Sequence, residues 1–154
     1  MTRVLRAQSV RAADLESRLG EVFHSDWLVM DQSMVTTFAD LTRDQEWIHV
    51  DVPRARADRG GTIVHGFLTL SMLSFLARSV LTVTDYAAAL AYGLDRVRYV
   101  TPLPTGSRIR LRMEIAAVEP RGDAKLLRRR CEIEADGSER PVLVADWLTL
   151  ITPA

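Results

Sequence analysis

Hydrophobic and polar residues alternate strictly over residues 107–117, with charged side chains on one side and Ile109, Leu111, Met113 and Ile115 on the other. A period of two residues is typical of a strand with one buried face. Similar patterns predict further strands at 87–100, 126–135 and 141–151, separated by stretches rich in proline, glycine and aspartate. The second half of the chain therefore predicts an antiparallel sheet of four or more strands.

The first half of the chain has a helical period instead. Residues 66–83 are apolar on nearly every face, as a helix enclosed by the rest of the fold requires. A second helix is predicted from an N-cap at Asp31 or Ser33 through Leu41. These elements predict an α+β fold in which the sheet packs on one central helix.

Three further elements are predicted with less regular patterns. A surface or docking helix covers 11–19, and a strand covers 21–30. The charged stretch 54–59 ends in Gly60 and Gly61, which predicts a short helix or a mobile loop that can act as a lid.

Length and composition predict one domain over residues 1–154, with residues 1–20 as an N-terminal helical extension. Twenty basic residues balance twenty acidic ones, so we expect no nucleic-acid partner and no attraction to a membrane surface. The apolar stretch 66–77 is too short to cross a membrane. A single cysteine, Cys131, and an N-terminus unlike a signal peptide predict a cytoplasmic protein.

Arginines repeat along two of the predicted strands, at 108, 110 and 112 and at 128–130. We interpret them as a solvated sheet face paired with Glu132 and Glu134. The alternative is a contact for the anionic tail of a ligand.

Residues 44–49 follow the helix that ends at Leu41 and are predicted to form its exit loop, which carries Asp44 and His49 five residues apart. A carboxylate near an imidazole can fix its tautomer, share a bound water with it, or divide acid and base duties with it. The spacing alone is equally compatible with an ordinary turn aspartate and a loop histidine.

The other histidines predict no separate site. We expect His65 to be structural and to bond a nearby loop, whereas His24 has no partner motif. The three histidines and one cysteine lack a compact spacing for zinc, and no glycine-rich phosphate loop occurs, so no metal or cofactor is expected.

The segment from Arg43 to Asp51 and the later His-Gly-Phe-Leu-Thr-Leu-Ser sequence that begins at His65 resemble the MaoC-like dehydratase or (R)-specific enoyl-CoA hydratase family, nodulation protein N-like branch. That family's pattern reads approximately Gly-Asp-x-Asn-Pro-Leu-His. Asp44 and His49 keep their places in it. Arg43, Glu46 and Trp47 replace the glycine, asparagine and proline. The resemblance spans about residues 20–150.

The resemblance implies a hot-dog fold, in which a curved antiparallel sheet wraps around a long central helix, and a homodimer. It implies that Asp44 and His49 activate a water that adds to C3 of a trans-2-enoyl thioester, carried by coenzyme A or acyl carrier protein, giving the (R)-3-hydroxyacyl thioester. The amide of Gly66, at the start of the central helix, is predicted to stabilise the thioester oxygen; the alternative is that the glycine serves helix packing alone. Ser74 matches a family serine near the pocket, or it bonds its own backbone.

Two other functions remain open from the sequence. Related hot-dog proteins are thioesterases, in which a carboxylate directs water at the thioester carbonyl. The changes at Arg43, Glu46 and Trp47 also leave room for a non-catalytic acyl-binding subunit.

Overall fold

The computed structural model describes residues 7–154. Residues 1–6 lie outside this range. They include the N-terminus that was predicted to be unlike a signal peptide, and they are the first six residues of the predicted extension. The helices are α1 (Gln32–Thr42), α2 (Trp47–Val50), α3 (Val52–Arg59) and α4 (Gly66–Val80), with a 3-10 helix at Ala12–Arg18. The strands are β1 (Gln8–Arg11), β2 (Val22–His24), β3 (Leu28–Val29), β4 (Leu81–Thr84), β5 (Tyr86–Tyr99), β6 (Arg108–Arg121), β7 (Ala124–Ala135) and β8 (Leu143–Pro153).

The large sheet has the strand order β2-β6-β7-β8-β5, and β3 also pairs with β6. All of its pairings are antiparallel, as the alternating pattern predicted. The β6–β7 hairpin is tighter than predicted, because β6 continues through Glu119 and Pro120 to a turn at Gly122, whose φ is 60°. Glycine adopts this backbone conformation without the steric cost that a Cβ adds.

Helix α4 packs against this sheet and forms the centre of the core. Leu68, Leu73 and Leu76 on the helix join Ile109 and Leu111 of the sheet in one buried cluster. The predicted hot-dog fold is therefore confirmed. No helix within residues 7–154 has the length and apolar character needed to span a membrane.

Two expectations for α4 were wrong. The helix ends at Val80, and the following residues form β4, which pairs in parallel with β1. The β-branched residues Thr82, Val83 and Thr84 favour this extended conformation. The helix is also not enclosed on all faces, since Phe67 and Phe75 are 69% and 57% exposed in the protomer.

The predicted helix before the candidate pair is α1, and Asp31 is its N-cap, accepting a hydrogen bond from the Met34 amide. This bond is the main reason that the pKa of Asp31 is lowered. The prediction that residues 44–49 form one exit loop was wrong, because His49 lies in the short helix α2. The stretch before Gly60 is the helix α3.

The 3-10 helix packs against the core, and charged side chains on the sheet form ion pairs. Ala12 and Leu15 of the 3-10 helix are fully buried, whereas Ala13, Asp14, Glu16 and Ser17 are exposed. The element therefore lies on the surface and packs one face against the core, as predicted for a surface or docking helix, although it is a 3-10 helix. On the sheet, Arg110 pairs with Glu134 at 2.6 Å and Arg112 with Glu132 at 3.7 Å. The predicted pairing with Glu132 and Glu134 is confirmed for Arg110 and Arg112 only. The other arginines have different partners: Arg108 pairs with Asp136, Arg128 with Asp95 and Arg130 with Glu114, and Arg129 lies over the Trp147 ring.

Candidate active site

Two segments that are separate in sequence meet at one end of α4. One is the connection from α1 through α2, which carries Asp44 and His49, and the other is the residue pair His65 and Gly66 at the start of α4. Asp44, His49 and His65 each place a nitrogen or oxygen atom within 4.8 Å of the others. The fold thus brings the predicted Asp44 and His49 pair together with the start of the central helix.

His49 is only 8% exposed, and its ring is held by the protein backbone. Its Nδ1 lies 2.7 Å from the carbonyl oxygen of Ile63. A carbonyl can only accept a hydrogen bond, so Nδ1 carries the proton in the neutral ring and Nε2 keeps its lone pair. His49 is therefore held in the tautomer whose Nε2 can accept a proton.

A side-chain network holds the backbone around His49. The Gln32 Nε2 donates to the His49 carbonyl at 2.9 Å, and the Thr62 hydroxyl donates to the Gln32 Oε1 at 2.6 Å. One glutamine therefore joins α1, α2 and the segment that leads into α4. The sequence analysis missed Gln32 and Thr62, because neither belongs to a short motif with His49.

Asp44 lies in the connection between α1 and α2 and has a half-exposed carboxylate in the protomer. Its backbone carbonyl accepts a hydrogen bond from the His65 Nε2 at 3.1 Å. The carboxylate Oδ2 lies 4.0 Å from the same nitrogen. The expectation that His65 bonds a nearby loop is therefore met, and the loop in question is the one that carries Asp44.

The rings of His49 and His65 are stacked, with centroids 3.7 Å apart and planes inclined by 23°. Metal coordination requires the lone pairs of both imidazoles, which lie in the ring planes, to converge on one ion, whereas the lone pairs of stacked rings lie in separate, nearly parallel planes. The geometry of these residues therefore favours proton transfer over metal ligation.

A cavity of about 350 Å³ opens beside His49 and Gly66. Its other walls are mostly apolar and include Phe67, Tyr99 and Leu103. Gly66 is the first residue of α4, where the backbone amides have no acceptor in a preceding helical turn. The cavity thus combines an apolar interior with an imidazole and a helix amide at one end.

Tyr99 covers Gly66 closely. A Cβ built on Gly66 would lie 2.9 Å from the Tyr99 Cε1, so even alanine at this position forces a shift. Burial also raises the pKa of the Tyr99 phenol. Tyr99 was not predicted as a site residue, and only its position at the end of an alternating strand could have suggested it.

Ser74 is not brought to this cavity within the protomer. It lies on an exposed face of α4, and its hydroxyl donates to the Ser71 carbonyl at 3.3 Å. It lines a separate groove together with Leu94 and Trp147. A role for Ser74 in the site therefore stays a prediction.

Arg43, which replaces the glycine of the family pattern, has φ 64° and ends α1 in the left-handed conformation. Glycine relieves this strain at a helix end, although it also loses more entropy on folding. We expect Arg43→Gly to stabilise the protein by about 0.5–1 kcal/mol and to raise its Tm by about 1–4 °C.

Thermal unfolding monitored by circular dichroism measures this effect. Arg43→Ala is the matched control, because it removes the charge but keeps a Cβ in the left-handed conformation. Equal Tm values for the glycine and alanine variants would contradict the strain argument.

Comparisons with known proteins identify the family of this chain. A family model described as a MaoC-like domain matches residues 14–135. The chain is 42% identical over 144 residues to nodulation protein N of Rhizobium leguminosarum bv. viciae, covering 90% of this chain and 89% of that protein. It is also 42% identical over 137 residues to 3-hydroxyacyl-thioester dehydratase Z of Mycobacterium tuberculosis (strain CDC 1551 / Oshkosh), covering 87% of this chain and 91% of that protein.

Among solved structures, the (R)-hydratase of A. caviae superposes with a TM-score of 0.68 at 19% identity, covering 85% of this chain and 94% of that one. At this identity the likeness shows a shared fold. The sequence matches extend over most of the chain and include the segment with Asp44, His49 and Gly66. The chain therefore belongs to the MaoC-like dehydratase family.

Proposed function

We propose that this protein catalyses the hydration of a trans-2-enoyl thioester to the (R)-3-hydroxyacyl thioester, or the reverse dehydration. One observation carries the proposal: His49 and the first residue of α4 line one end of an apolar cavity, and a carboxylate oxygen of Asp44 lies within 4.8 Å of a His49 ring nitrogen. A base, an acid and an oxyanion donor are the groups that this reaction requires.

In the proposed mechanism, Asp44 and His49 hold and deprotonate a water. The water oxygen forms a bond to C3 of the enoyl group, and the electron pair of the C2–C3 double bond moves toward the thioester carbonyl. The Gly66 amide donates a hydrogen bond to the resulting enolate oxygen. A proton then returns from the pair to C2, so that one water has been added across the double bond and no cofactor is consumed.

The substrate class is supported by the relative whose name is 3-hydroxyacyl-thioester dehydratase. The changed loop residues are compatible with activity. Arg43 keeps a left-handed backbone like that available to glycine, and Trp47, in the proline's place, is covered by the Arg54 guanidinium at 4.0 Å. The acyl chain is carried by either coenzyme A or acyl carrier protein. The cytoplasmic location stays a prediction.

We propose further that the active form is a homodimer. Strand β5 forms one edge of the sheet and carries exposed apolar side chains over its length: Tyr86, Leu90, Tyr92, Leu94 and Tyr99. A long, apolar, unpaired edge is unfavourable in a monomer. Antiparallel pairing of two β5 strands about a two-fold axis covers it with a second copy of the same surface.

Leu94→Glu is expected to convert the dimer into a monomer, because it places a charge beside Trp147 in the groove between β5 and α4. Size-exclusion chromatography with light scattering measures the mass. Leu41→Glu is the matched control, since Leu41 is 80% exposed but lies on α1. A parent that is monomeric at micromolar concentration would contradict the proposed assembly.

The function is tested by the loss of enoyl absorbance when the purified protein is mixed with crotonyl-CoA and with a longer trans-2-enoyl-CoA. Chiral analysis of the product should give the (R)-3-hydroxyacyl thioester. Release of free thiol without hydration would indicate a thioesterase instead. Saturable binding without turnover of either thioester, or of the matching acyl carrier protein substrate, would indicate a non-catalytic acyl-binding subunit.

A further inference from the structure

His65 is buried beside the candidate site, although it does not line the cavity. It is 2% exposed and stands at the N-cap of α4. Its carbonyl accepts from both the amide of Thr69 at 3.1 Å and the hydroxyl of Thr69 at 3.3 Å. The backbone of His65 is therefore tied to the first turn of the central helix.

The side chain of His65 contacts both members of the proposed catalytic pair. The Nε2–H donates to the Asp44 carbonyl at 3.1 Å, while the ring stacks on His49 at 3.7 Å. Phe38 lies against His65 with ring centroids 5.1 Å apart. This donor bond leaves Nδ1 without a proton in the neutral ring, and no hydrogen-bond partner for this buried atom occurs in residues 7–154.

The two contacts restrict different degrees of freedom. The hydrogen bond holds the backbone of Asp44, and so fixes the position from which its half-exposed side chain extends. The stack holds the plane of the His49 ring, whose other constraint is the bond from Nδ1 to Ile63. Together they fix the direction in which the His49 Nε2 points.

We infer that His65 is a positioning residue that joins the Asp44 loop and the His49 ring to the start of α4. The inference rests on the proposed function for its kinetic consequence. His65 itself exchanges no proton with the substrate, because it is 2% exposed and its Nε2–H is bonded to the Asp44 carbonyl. Its loss should therefore lower kcat and leave KM nearly unchanged.

Three substitutions separate the two contacts. His65→Gln keeps an N–H donor near the position of Nε2 but removes the ring, His65→Phe keeps an aromatic face but removes the donor, and His65→Leu removes both. We expect kcat to fall about 100-fold in the leucine variant, as expected for a misplaced catalytic group. The glutamine and phenylalanine variants should each lose about tenfold, with KM within about threefold of the parent.

A spectroscopic measurement gives a readout that does not depend on turnover. The chain has three histidines, so long-range ¹H–¹⁵N spectra can follow each ring, with exposed His24 as the reference. The parent should contain His49 protonated at Nδ1 and His65 at Nε2. In folded His65→Leu the signals of the His49 ring should shift toward a mixture of tautomers, and His65→Phe should preserve the parent pattern.

Thermal unfolding establishes that each variant is folded, and the glutamine and phenylalanine variants decide the question if the leucine variant is not. Unchanged kcat, or a loss carried by KM, in folded variants of an active parent would overturn the inference. An inactive parent would contradict the proposed function alone. If the parent is inactive, the spectra of His65→Gln and His65→Leu, which lack an aromatic ring, decide the positioning role. An unchanged His49 spectrum in these variants overturns that role, and a changed spectrum supports it.

Discussion

His49→Gln and Asp44→Asn are each expected to lower kcat for a trans-2-enoyl thioester by about 10³-fold, because each removes a group that transfers a proton in the transition state. Glutamine cannot accept the proton that the bare Nε2 of His49 accepts. Asparagine keeps the shape of Asp44 but cannot hold a negative charge. Substrate affinity should change little, since the acyl chain contacts the apolar walls of the cavity. Loss of enoyl absorbance under saturating substrate measures kcat directly.

The chain offers a matched control for each substitution. Asp40→Asn changes another exposed aspartate of the same region, whose carboxylate accepts from the Gln45 side chain at 2.8 Å. His24→Gln changes an exposed histidine on β2. Both controls should keep parental activity and Tm. If folded His49→Gln or Asp44→Asn keeps more than about a tenth of the parental kcat, that residue does not perform the proposed proton transfer.

The second large effect is expected at Gly66, where the backbone amide can be deleted without breaking the helix. Proline lacks the N–H and suits the first position of a helix. His65 has φ −58° and ψ 137°, a conformation that a following proline favours. We expect Gly66→Pro to lose about 100-fold in kcat beyond the loss seen in Gly66→Ala, as for removal of one oxyanion donor.

Gly66→Ala is the matched control, because it keeps the N–H but adds the same Cβ close to Tyr99. Repeating both substitutions in a Tyr99→Leu background removes most of the ring contact that alanine and proline share. Single-turnover measurements and thermal unfolding give the chemical step and the stability of each variant. Equal kcat values for the alanine and proline variants, or a difference in KM alone, would show that the amide does not stabilise the transition state.

Local patterns predicted the parts of this fold that depend on neighbouring residues. Alternation identified β6, β7 and β8, because each has one face in the core, whereas the long strand β5 has no buried residue in the protomer. The end of α4 was placed three residues too late, because Leu81 and Val83 continue an apolar run without a break. The β-branched residues there favour a strand, and the pairing of β4 with the distant strand β1 adds a contact that local sequence cannot show.

The same distinction holds for the site. Asp44 and His49 were predicted because they keep their places in the family pattern, whereas Gln32 reaches His49 across 17 residues of sequence and forms no motif with it. The left-handed backbone of Arg43 could not be predicted either, because an arginine does not indicate this conformation as a glycine would. Ser74 is eight residues after Gly66, which on an α-helix corresponds to about 12 Å along the axis, and this explains why the two do not share a cavity in the protomer.

The residues proposed for the reaction and many of those that shape the cavity lie in different parts of the chain. The proposed proton-transfer groups and the amide donor all fall within residues 44–66, whereas much of the opposite wall of the cavity comes from Tyr99, Thr101, Leu103 and Val142, after α4. Enlarging or filling that wall changes the room for an acyl chain without altering the ionisable side chains of Asp44, His49 and His65. Substitutions in that wall can therefore change which acyl chains fit the cavity, while the residues proposed for the reaction stay the same.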